Sequence, residues 1–326
     1  TCALPISLAG ANAILGNATL TGDLSFTSNG ILLQSTGSVL AVAGDVTLNG
    51  GASNVEVVLT GSSIGGNLIL TGDTLIVTTS GAVSLGNVTA ATDFTLTTTG
   101  AVTDAGTVSV GGLTNIDAGT GSIVLDAAGS AYTGAITLAG ANVAFTNSVA
   151  TAFDGITATG TLSINSQGTA ITDNGAINAT GTTTINSGAA STILDDIGST
   201  FGTLNLTGTS VAVTDAGAVD LGTVSVTNLT IIAGGAITDS GVLTITGATD
   251  LTASGYSITL NSSTSTFTGT LGLVGTNIDV TANGAIDFGT VTANGNLNIV
   301  ANGAITDTGA VVVTGNTVMN AGTNAI

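Results

Sequence analysis

The stretch Gly303-Ala304-Ile305-Thr306-Asp307-Thr308-Gly309 is the key to this chain, because near-copies of it recur along the sequence. We call this seven-residue segment the aspartate box. The other copies begin at Gly100, Thr169 and Gly235. The box aspartates recur at nearly equal intervals, and they are Asp104, Asp173, Asp239 and Asp307. Self-similarity at a nearly fixed period indicates an array of one structural unit.

An aromatic residue follows the box at a constant distance in the sequence. The separation between box aspartate and aromatic residue is the same from Asp104 to Tyr132, from Asp173 to Phe201 and from Asp239 to Phe267. In the first repeat the box is degenerate near residues 33–37, and Ile64 stands where the aromatic is expected. The repeat units run approximately over residues 35–103, 104–172, 173–238 and 239–306, with partial units at 1–34 and 307–326. No change in composition separates them, so the sequence predicts one continuous domain over residues 1–326.

A shorter period lies inside each unit. The triplet Gly284-Ala285-Ile286 returns one coil later as Gly303-Ala304-Ile305. Coils of about 19 residues suit three short strands with a turn at each corner. Leu297 and Ile299 alternate with outward-facing polar residues, as expected for a strand with one buried face. We therefore predict an all-β fold, a right-handed parallel β-helix (β-solenoid) with about 14 coils and roughly three coils per 68-residue unit. At about 4.8 Å per coil, it forms a rod of some 65–70 Å.

The aspartate box is one residue longer than the related segment Gly284–Gly289. We expect a bulge or turn at a corner to absorb this residue. Aspartate suits such a corner because its short carboxylate accepts hydrogen bonds from nearby backbone N–H groups.

Composition limits the function. The 326 residues include no Lys, Arg or His, and the 19 acidic residues give a net charge of −19. Without cations the chain cannot neutralise phosphates, which argues against nucleic-acid binding. It also lacks the basic patch that binds anionic membrane surfaces. No apolar run reaches about 18 residues, so membrane insertion is not expected. With 43% hydrophobic residues, the chain is not of the disordered class.

The first residues lie outside the repeat pattern. Cys2 is the single cysteine, so no internal disulfide is predicted. Pro5 fits an irregular entry to the first coil, and no intact signal peptide is visible. We interpret the chain as a mature product or an excerpt of something longer.

Recurrent acidic residues raise the question of a metal or catalytic site. Asp220 with Asp239, or Asp287 with Asp307, could lie on successive coils and offer calcium ligands. Aspartates at corner turns are the favoured interpretation, and no metal site or cofactor is predicted. The pair Asp195-Asp196 could suggest a glycosidase or lyase, which needs two positioned carboxylates. No further chemistry gathers at this pair, so we predict no catalytic residues and no enzyme activity.

Threonine tracts and aromatic residues suggest binding alternatives. Tracts such as residues 95–97 and 182–184 could form a flat threonine array that binds ice, but they fall irregularly along the sequence. The aromatic residues could form a carbohydrate-binding ladder. With three coils between them they would lie about 14 Å apart, too far to stack, so filling of the core or corners is favoured.

The aspartate box, the 19-residue coil period and the strand Asn294-Gly295-Asn296-Leu297-Asn298-Ile299 resemble the repeat regions of bacterial filamentous-haemagglutinin-like proteins. The resemblance implies a secreted adhesin shaft displayed on the cell surface, without catalytic, cofactor or metal residues. It implies extracellular localisation and glycans of host or neighbouring cells as partners. Open strand edges without lysine guards predict that the chain also stacks end to end with itself into filaments. The alternatives are an ice- or glycan-binding solenoid and, less favoured, a β-helical polysaccharide-active enzyme.

Overall fold

The chain forms parallel β-strands joined by tight turns. The computed structural model describes residues 12–326 and the backbone of residues 6–8. No helix occurs among these residues. The chain divides into two compact units, Thr1–Gln167 (unit 1) and Gly168–Ile326 (unit 2). Cys2 and Pro5, and most of the predicted entry into the first coil, lie outside the described residues.

The described strands of unit 1 are short, mostly three to five residues, and alternate inward and outward side chains. They are Ile6–Leu8, Ala13–Leu15, Ala18–Leu20, Leu24–Ser28, Leu32–Gln34, Leu40–Val42, Val46–Asn49, Val55–Val58, Ser63–Ile64, Leu68–Gly72, Leu75–Thr78, Val83–Ala90, Phe94–Thr97, Val102–Asp104, Val108–Val110, Thr114–Asp117, Ile123–Leu125, Ala131–Tyr132, Ala135–Gly140, Val143–Thr146, Thr151–Ala158 and Leu162–Asn165.

Unit 2 repeats this pattern with two longer strands that bend through a corner without a break. Its strands are Ile171–Asp173, Ile177–Ala179, Thr183–Asn186, Thr192–Leu194, Thr200–Phe201, Thr203–Asp215, Val219–Ala233, Ile237–Asp239, Leu243–Ile245, Thr249–Thr252, Ile258–Leu260, Thr266–Phe267, Thr270–Gly275, Ile278–Ala282, Ile286–Ala293, Leu297–Ala301, Ile305–Asp307, Val311–Val313 and Thr317–Asn320.

Each strand pairs in parallel with the strand directly above or below it on the next turn, so aligned residues form columns. One inward column of unit 1 holds Ala13, Leu32, Val55, Leu75, Phe94, Thr114, Ile136 and Phe153. One inward column of unit 2 holds Ile171, Thr192, Val211, Leu229, Thr249, Leu271 and Phe288. Each member adds one turn, so the chain is a parallel β-solenoid of about fifteen turns, slightly more than predicted.

The core of each unit consists of the inward side chains of these columns. The predicted alternation is confirmed, since Leu297 and Ile299 are fully buried and Asn298 between them faces outward. Within each unit, backbone hydrogen bonds connect successive turns and apolar side chains pack inside them. The sequence contains no cation, so no side-chain salt bridge can form.

The sequence repeat is longer than three turns. In unit 1, Leu75 stacks on Phe94, whereas Val143, its equivalent in the next sequence repeat, stacks between Ile123 and Leu162 in a different column. Stacked partners are about 20 residues apart, so a repeat spans three turns plus about one third of a turn. Equivalent residues of successive repeats therefore move from one face of the solenoid to the next.

Candidate functional site: the aspartate–serine corner

Each aspartate box whose pairing is described contains the bulge that the sequence predicted. Leu85 pairs with Asp104 and Val88 with Val108, so two residues on one turn oppose three on the next. The amides of Ala105 and Gly106 both donate to the Leu85 carbonyl, at 2.7 and 3.3 Å. Because a Cβ on Gly106 would collide with the backbone of the preceding turn, glycine is required after the bulge.

The same bulge occurs in two boxes of unit 2. Ser240 and Gly241 donate to Leu221 at 2.9 and 3.3 Å. Thr308 and Gly309 donate to Phe288 at 2.8 and 3.1 Å. The extra residue of the box thus forms a β-bulge that turns the chain at a corner.

The box aspartate accepts hydrogen bonds from two consecutive backbone amides on the next turn. We call this arrangement the carboxylate clamp. Asp104 accepts from Asp126 and Ala127, both at 3.1 Å. Asp173 accepts from Asp195 at 2.9 Å and Asp196 at 3.4 Å, and Asp239 accepts from Asn261 at 2.7 Å and Ser262 at 3.2 Å. The clamp therefore fixes the position of the following turn, as the corner interpretation predicted.

Burial affects the ionisation of two clamp residues. It raises the pKa of Asp104 above its usual value, although the N–H groups of Ala127 and Asp126 lower it. The pKa of Asp173 is raised in the same way, with the neighbouring carboxylates of Asp195 and Asp196 adding to the effect. Burial thus disfavours the ionised carboxylate relative to the protonated carboxyl group by more than the two N–H groups favour it.

A serine, buried in three of the four corners and half-buried at Ser62, closes each corner on the other side. The hydroxyl oxygen of Ser130 accepts a hydrogen bond from the Val108 amide at 3.0 Å. Ser199 and Ser265 accept from Ile177 and Leu243 at the same 3.0 Å distance, and Ser62 accepts from Leu40 at 3.0 Å. We call this contact the serine staple.

The serine staples were missed in the sequence, although a signal was present. Each serine stands two residues before the aromatic position, at Ser62, Ser130, Ser199 and Ser265. Its own amide closes a tight turn, as in the 3.2 Å bond from Ser130 to the Ala127 carbonyl. Clamp, turn and staple together join two successive turns at one corner.

The aromatic residue of each corner fills the core, as predicted. Tyr132 is fully buried, and its ring centroid lies 4.8 Å from that of Phe145. Phe201 and Phe267 are 7% and 4% exposed. In unit 2, Phe201 pairs with Ala179 and Phe267 pairs with Ile245, on different faces. The aromatic residues therefore form no ladder, because the repeat rotates by a face rather than because of their separation along one face.

Five consecutive segments of the chain match the profile of one protein family. The family is described as repeats of unknown function (DUF5649), and the matches cover residues 4–71, 65–139, 140–207, 208–274 and 275–326. The chain belongs to this family. No curated protein and no solved structure gave a significant match. The period of the DUF5649 repeats confirms the predicted repeat, while the resemblance to haemagglutinin-like shafts stays a prediction.

The acidic pairs considered for calcium lie on neighbouring strands of unit 2. Asp220 pairs with Thr238, next to Asp239, and Asp287 pairs with Thr306, next to Asp307. Asp220 accepts hydrogen bonds from Thr203 at 2.9 Å and Ser240 at 2.7 Å. In the part of the chain that the structure describes, no three acidic or cysteine side chains converge as a metal site would require.

Asp287 is held in the same way as Asp220. Its two oxygens accept hydrogen bonds from the hydroxyl groups of Thr306 and Thr308, both at 3.2 Å. These outward aspartates of the DUF5649 repeats thus connect successive turns through hydroxyl groups, whereas the clamp aspartates connect them through backbone amides.

The pair Asp195-Asp196 lies in the turn held by Asp173. Both backbone amides enter the carboxylate clamp, and the Asp196 carboxylate accepts the Gly198 amide at 2.8 Å. One of the two carboxylates is thus engaged in shaping its own turn.

The threonine tracts do not form a continuous array. Thr95 stacks between Ile76 and Asn115, and Thr97 stacks between Thr78 and Asp117. In the second tract, Thr183 points inward and is fully buried.

Among the described residues, no helix has the length and apolarity required to span a membrane.

Proposed function

We propose that these DUF5649 repeats form a structural shaft segment of an extracellular fibre or adhesin, without catalytic function. One observation carries the proposal: the serine staple, at the same 3.0 Å distance, and the parallel register recur from repeat to repeat, and three repeats add the same clamp. Contacts of this kind join one turn to the next along the part of the chain that the structure describes. Repeat proteins built from such nearest-neighbour contacts extend by whole units.

Chain composition suits a passive shaft. Stacked backbone hydrogen bonds and buried aliphatic side chains need no ions, so the shaft keeps its strength over a wide range of salt concentrations. With a charge of −19 and no cation, its surface repels similar surfaces from the side. Lateral contacts are therefore weaker than contacts along the stack, which favours thin fibres.

The strands Val311–Val313 and Thr317–Asn320 have an edge on which a further turn can pair. Each pairs on one side with the preceding turn, through Val291–Ala293 and Leu297–Val300. The inward residues Val311, Val313 and Met319 are only half-buried, whereas their partners on the preceding turn are fully buried. A further turn, supplied by a continuing polypeptide or by a second copy, would pair with this edge and cover it. End-to-end association is therefore part of the proposal.

The experiment is negative-stain microscopy and light scattering of the 326-residue polypeptide at micromolar concentration. We expect filaments of uniform width whose length increases with concentration and changes little with salt. The control is the double variant Val311→Lys and Met319→Lys, which places inward-facing charges on the edge and should shorten the filaments. Globular particles, or filaments that thicken by lateral association alone, would contradict the proposal.

Extracellular display is the part of the proposal that concerns location and partners. A shaft carries an adhesive segment away from the surface, and glycans of host or neighbouring cells are the partner class. Protease shaving of intact cells that make the protein tests this location. Release of repeat fragments from intact cells is the expected result, whereas protection until lysis would contradict it.

A binding role is the second candidate, and one feature of unit 2 favours it. An outward column of β-branched residues continues over six turns: Thr214, Ile232, Thr252, Val274, Thr292 and Val312. Such a row offers methyl and hydroxyl groups at a spacing of about 4.8 Å, as an ice- or glycan-binding face would. Thermal hysteresis that is present in the wild type and lost in Thr252→Asp would support ice binding. A wild type without thermal hysteresis would contradict ice binding.

A further inference from the structure

Asn147 and Asp215 occupy the same place in successive repeats. Each lies behind the aromatic residue of its corner and accepts that residue's backbone amide: Tyr132 donates to Asn147 at 3.0 Å and Phe201 donates to Asp215 at 2.8 Å. The residue that follows each donates its amide to the carbonyl of the staple serine, at 2.9 Å and 2.8 Å. The two side chains therefore fill equivalent slots, one with an amide group and the other with a carboxyl group.

The amide of Asn147 uses both its acceptor and its donor. Its oxygen accepts the Tyr132 N–H, while its nitrogen donates to the Tyr132 carbonyl at 3.0 Å and to the Thr151 hydroxyl at 3.1 Å. An ionised carboxylate can only accept hydrogen bonds. In the equivalent slot, Asp215 accepts from Phe201 and, at 2.6 Å, from the Gly217 amide. An ionised Asp215 thus has no donor for the carbonyl that an amide would satisfy.

Asp215 is also buried without a counter-ion. It is 2% exposed, and the chain contains no Lys, Arg or His side chain that could pair with it. Four strands pack against it: Thr183–Asn186, Thr192–Leu194, Thr200–Phe201 and Val219–Ala233. Asp220 is the only titratable side chain on these strands, and its carboxylate accepts hydrogen bonds from Thr203 and Ser240 instead. Asp195 and Asp196 follow Thr192–Leu194 and belong to the clamp turn. No charged partner offsets the burial of this carboxylate.

We propose that Asp215 is a proton-binding site inside unit 2, and that its protonation makes the solenoid more stable in acid than at neutral pH. The neutral carboxyl group gains an O–H donor and can bond the Phe201 backbone as the amide of Asn147 bonds that of Tyr132. This property is independent of the proposed shaft function, because it concerns the folding equilibrium of the chain and not its assembly.

Linkage fixes the sign of the pH dependence. Burial raises the pKa of Asp215 above 3.8, although the N–H groups of Gly217 and Phe201 act in the opposite direction. At neutral pH the folded state holds a buried charge that the unfolded state solvates, so stability is reduced. As the pH falls from the raised pKa towards 3.8, the folded state takes up the proton first and the loss disappears.

The test compares urea unfolding midpoints of the full chain at about pH 7 and about pH 4.5. Asp215→Asn should raise the midpoint at neutral pH and reduce the gain on acidification. The matched control Asp220→Asn, at an outward carboxylate, should keep that gain. The reciprocal variant Asn147→Asp should lower the neutral midpoint and recover part of the loss in acid.

An acid gain in Asp215→Asn equal to that of the wild type would overturn the proposal, as would a lower midpoint at neutral pH. If the variant does not fold, the carboxyl carbon of Asp215 can be titrated by nuclear magnetic resonance in the wild-type chain. A midpoint above that of Asp220 supports the proton site, and a midpoint at or below it contradicts it.

Discussion

Two corners of unit 1 solve the same structural problem with different side chains. At the second corner Asp104 clamps the next turn, Ser130 staples it and Tyr132 fills the core. At the first corner Ser62 forms the same staple at 3.0 Å, but Ile64 replaces the aromatic residue. Ile64 pairs with Val42 as Tyr132 pairs with Val110, so the two residues are equivalent, as the spacing predicted.

The first corner is packed less completely. A cavity of about 40 Å³ lies beside Ile64, lined by Leu59, Ser62, Leu68 and Val83. In the degenerate box, Gln34 donates from its amide nitrogen to the Ser38 carbonyl, while its buried side-chain oxygen has no hydrogen-bond partner among the described residues. The comparison shows that the staple and its turn are enough to form a corner, and we expect the carboxylate clamp and the aromatic ring to add stability to it.

Removal of the ring from the second corner should give the largest effect. Tyr132→Ala leaves a large cavity against Phe145 and should cost about 3–5 kcal/mol of unfolding free energy in urea titrations. Ile64→Ala should cost less, because Ile64 is only half-buried. Tyr132→Phe is the control and should change stability by less than ~1.5 kcal/mol. Equal losses for the two alanine variants would show that the corners are equivalent after all.

Loss of the clamp should come next. Asp104→Ala leaves the amides of Asp126 and Ala127 without their acceptors and should cost about 2 kcal/mol at neutral pH. Asp126→Ala removes a nearby charge but keeps the amide that the clamp binds, so it should be neutral or slightly stabilising. Hydrogen exchange at these two amides measures the clamp directly. Unchanged exchange in Asp104→Ala would show that the clamp does not hold the turn.

Filling the cavity should make the first corner resemble the second. Ile64→Phe places a ring where the other corners have Tyr132, Phe201 or Phe267. With about 24 cal/mol per Å³, a cavity of about 40 Å³ corresponds to a gain of about 1 kcal/mol. The urea midpoint is the measurement, and Ile64→Val, which enlarges the cavity, is the control. A loss of stability in the phenylalanine variant would show that the first corner cannot accept a ring.

Periodicity made much of this architecture predictable. The box aspartate, the extra residue in the box and the aromatic position were visible because they recur at nearly fixed spacing. Parallel coils and inward alternation at residues such as Leu297 and Ile299 followed from the short strand period. The chemistry of a corner was also partly visible, since a carboxylate beside a bulge has backbone amides to bind.

Other features depend on which residues meet across turns, and a linear pattern does not show this. The Ser130 staple joins residues on successive turns: the recurrence of a serine two residues before the aromatic position is visible in the sequence, but its contact with the Val108 amide is not. The rotation of each repeat by one face follows from the stacking distance, which is set by the bulges and turns of every coil. Asn147 in one repeat and Asp215 at the equivalent position of the next look like a conservative difference in the sequence. The difference matters only because both side chains are buried behind the aromatic residue of their corner.

The smallest expected effect concerns a buried hydroxyl group that distinguishes the same two repeats. Val46 and Thr114 are equivalent, and both are buried at the start of a strand. The Thr114 hydroxyl has no hydrogen-bond partner among the described residues, and neither do those of Thr183 and Thr249, its counterparts in later repeats. Thr114→Val should therefore stabilise the chain by about 1 kcal/mol, because it removes an unpaired polar group at nearly constant volume. Val46→Thr is the matched reverse variant and should lose a similar amount, read from the same urea titrations. If Thr114→Val is destabilising instead, the hydroxyl must find a partner inside the core, and the two repeats differ there in hydrogen bonding rather than in polarity alone.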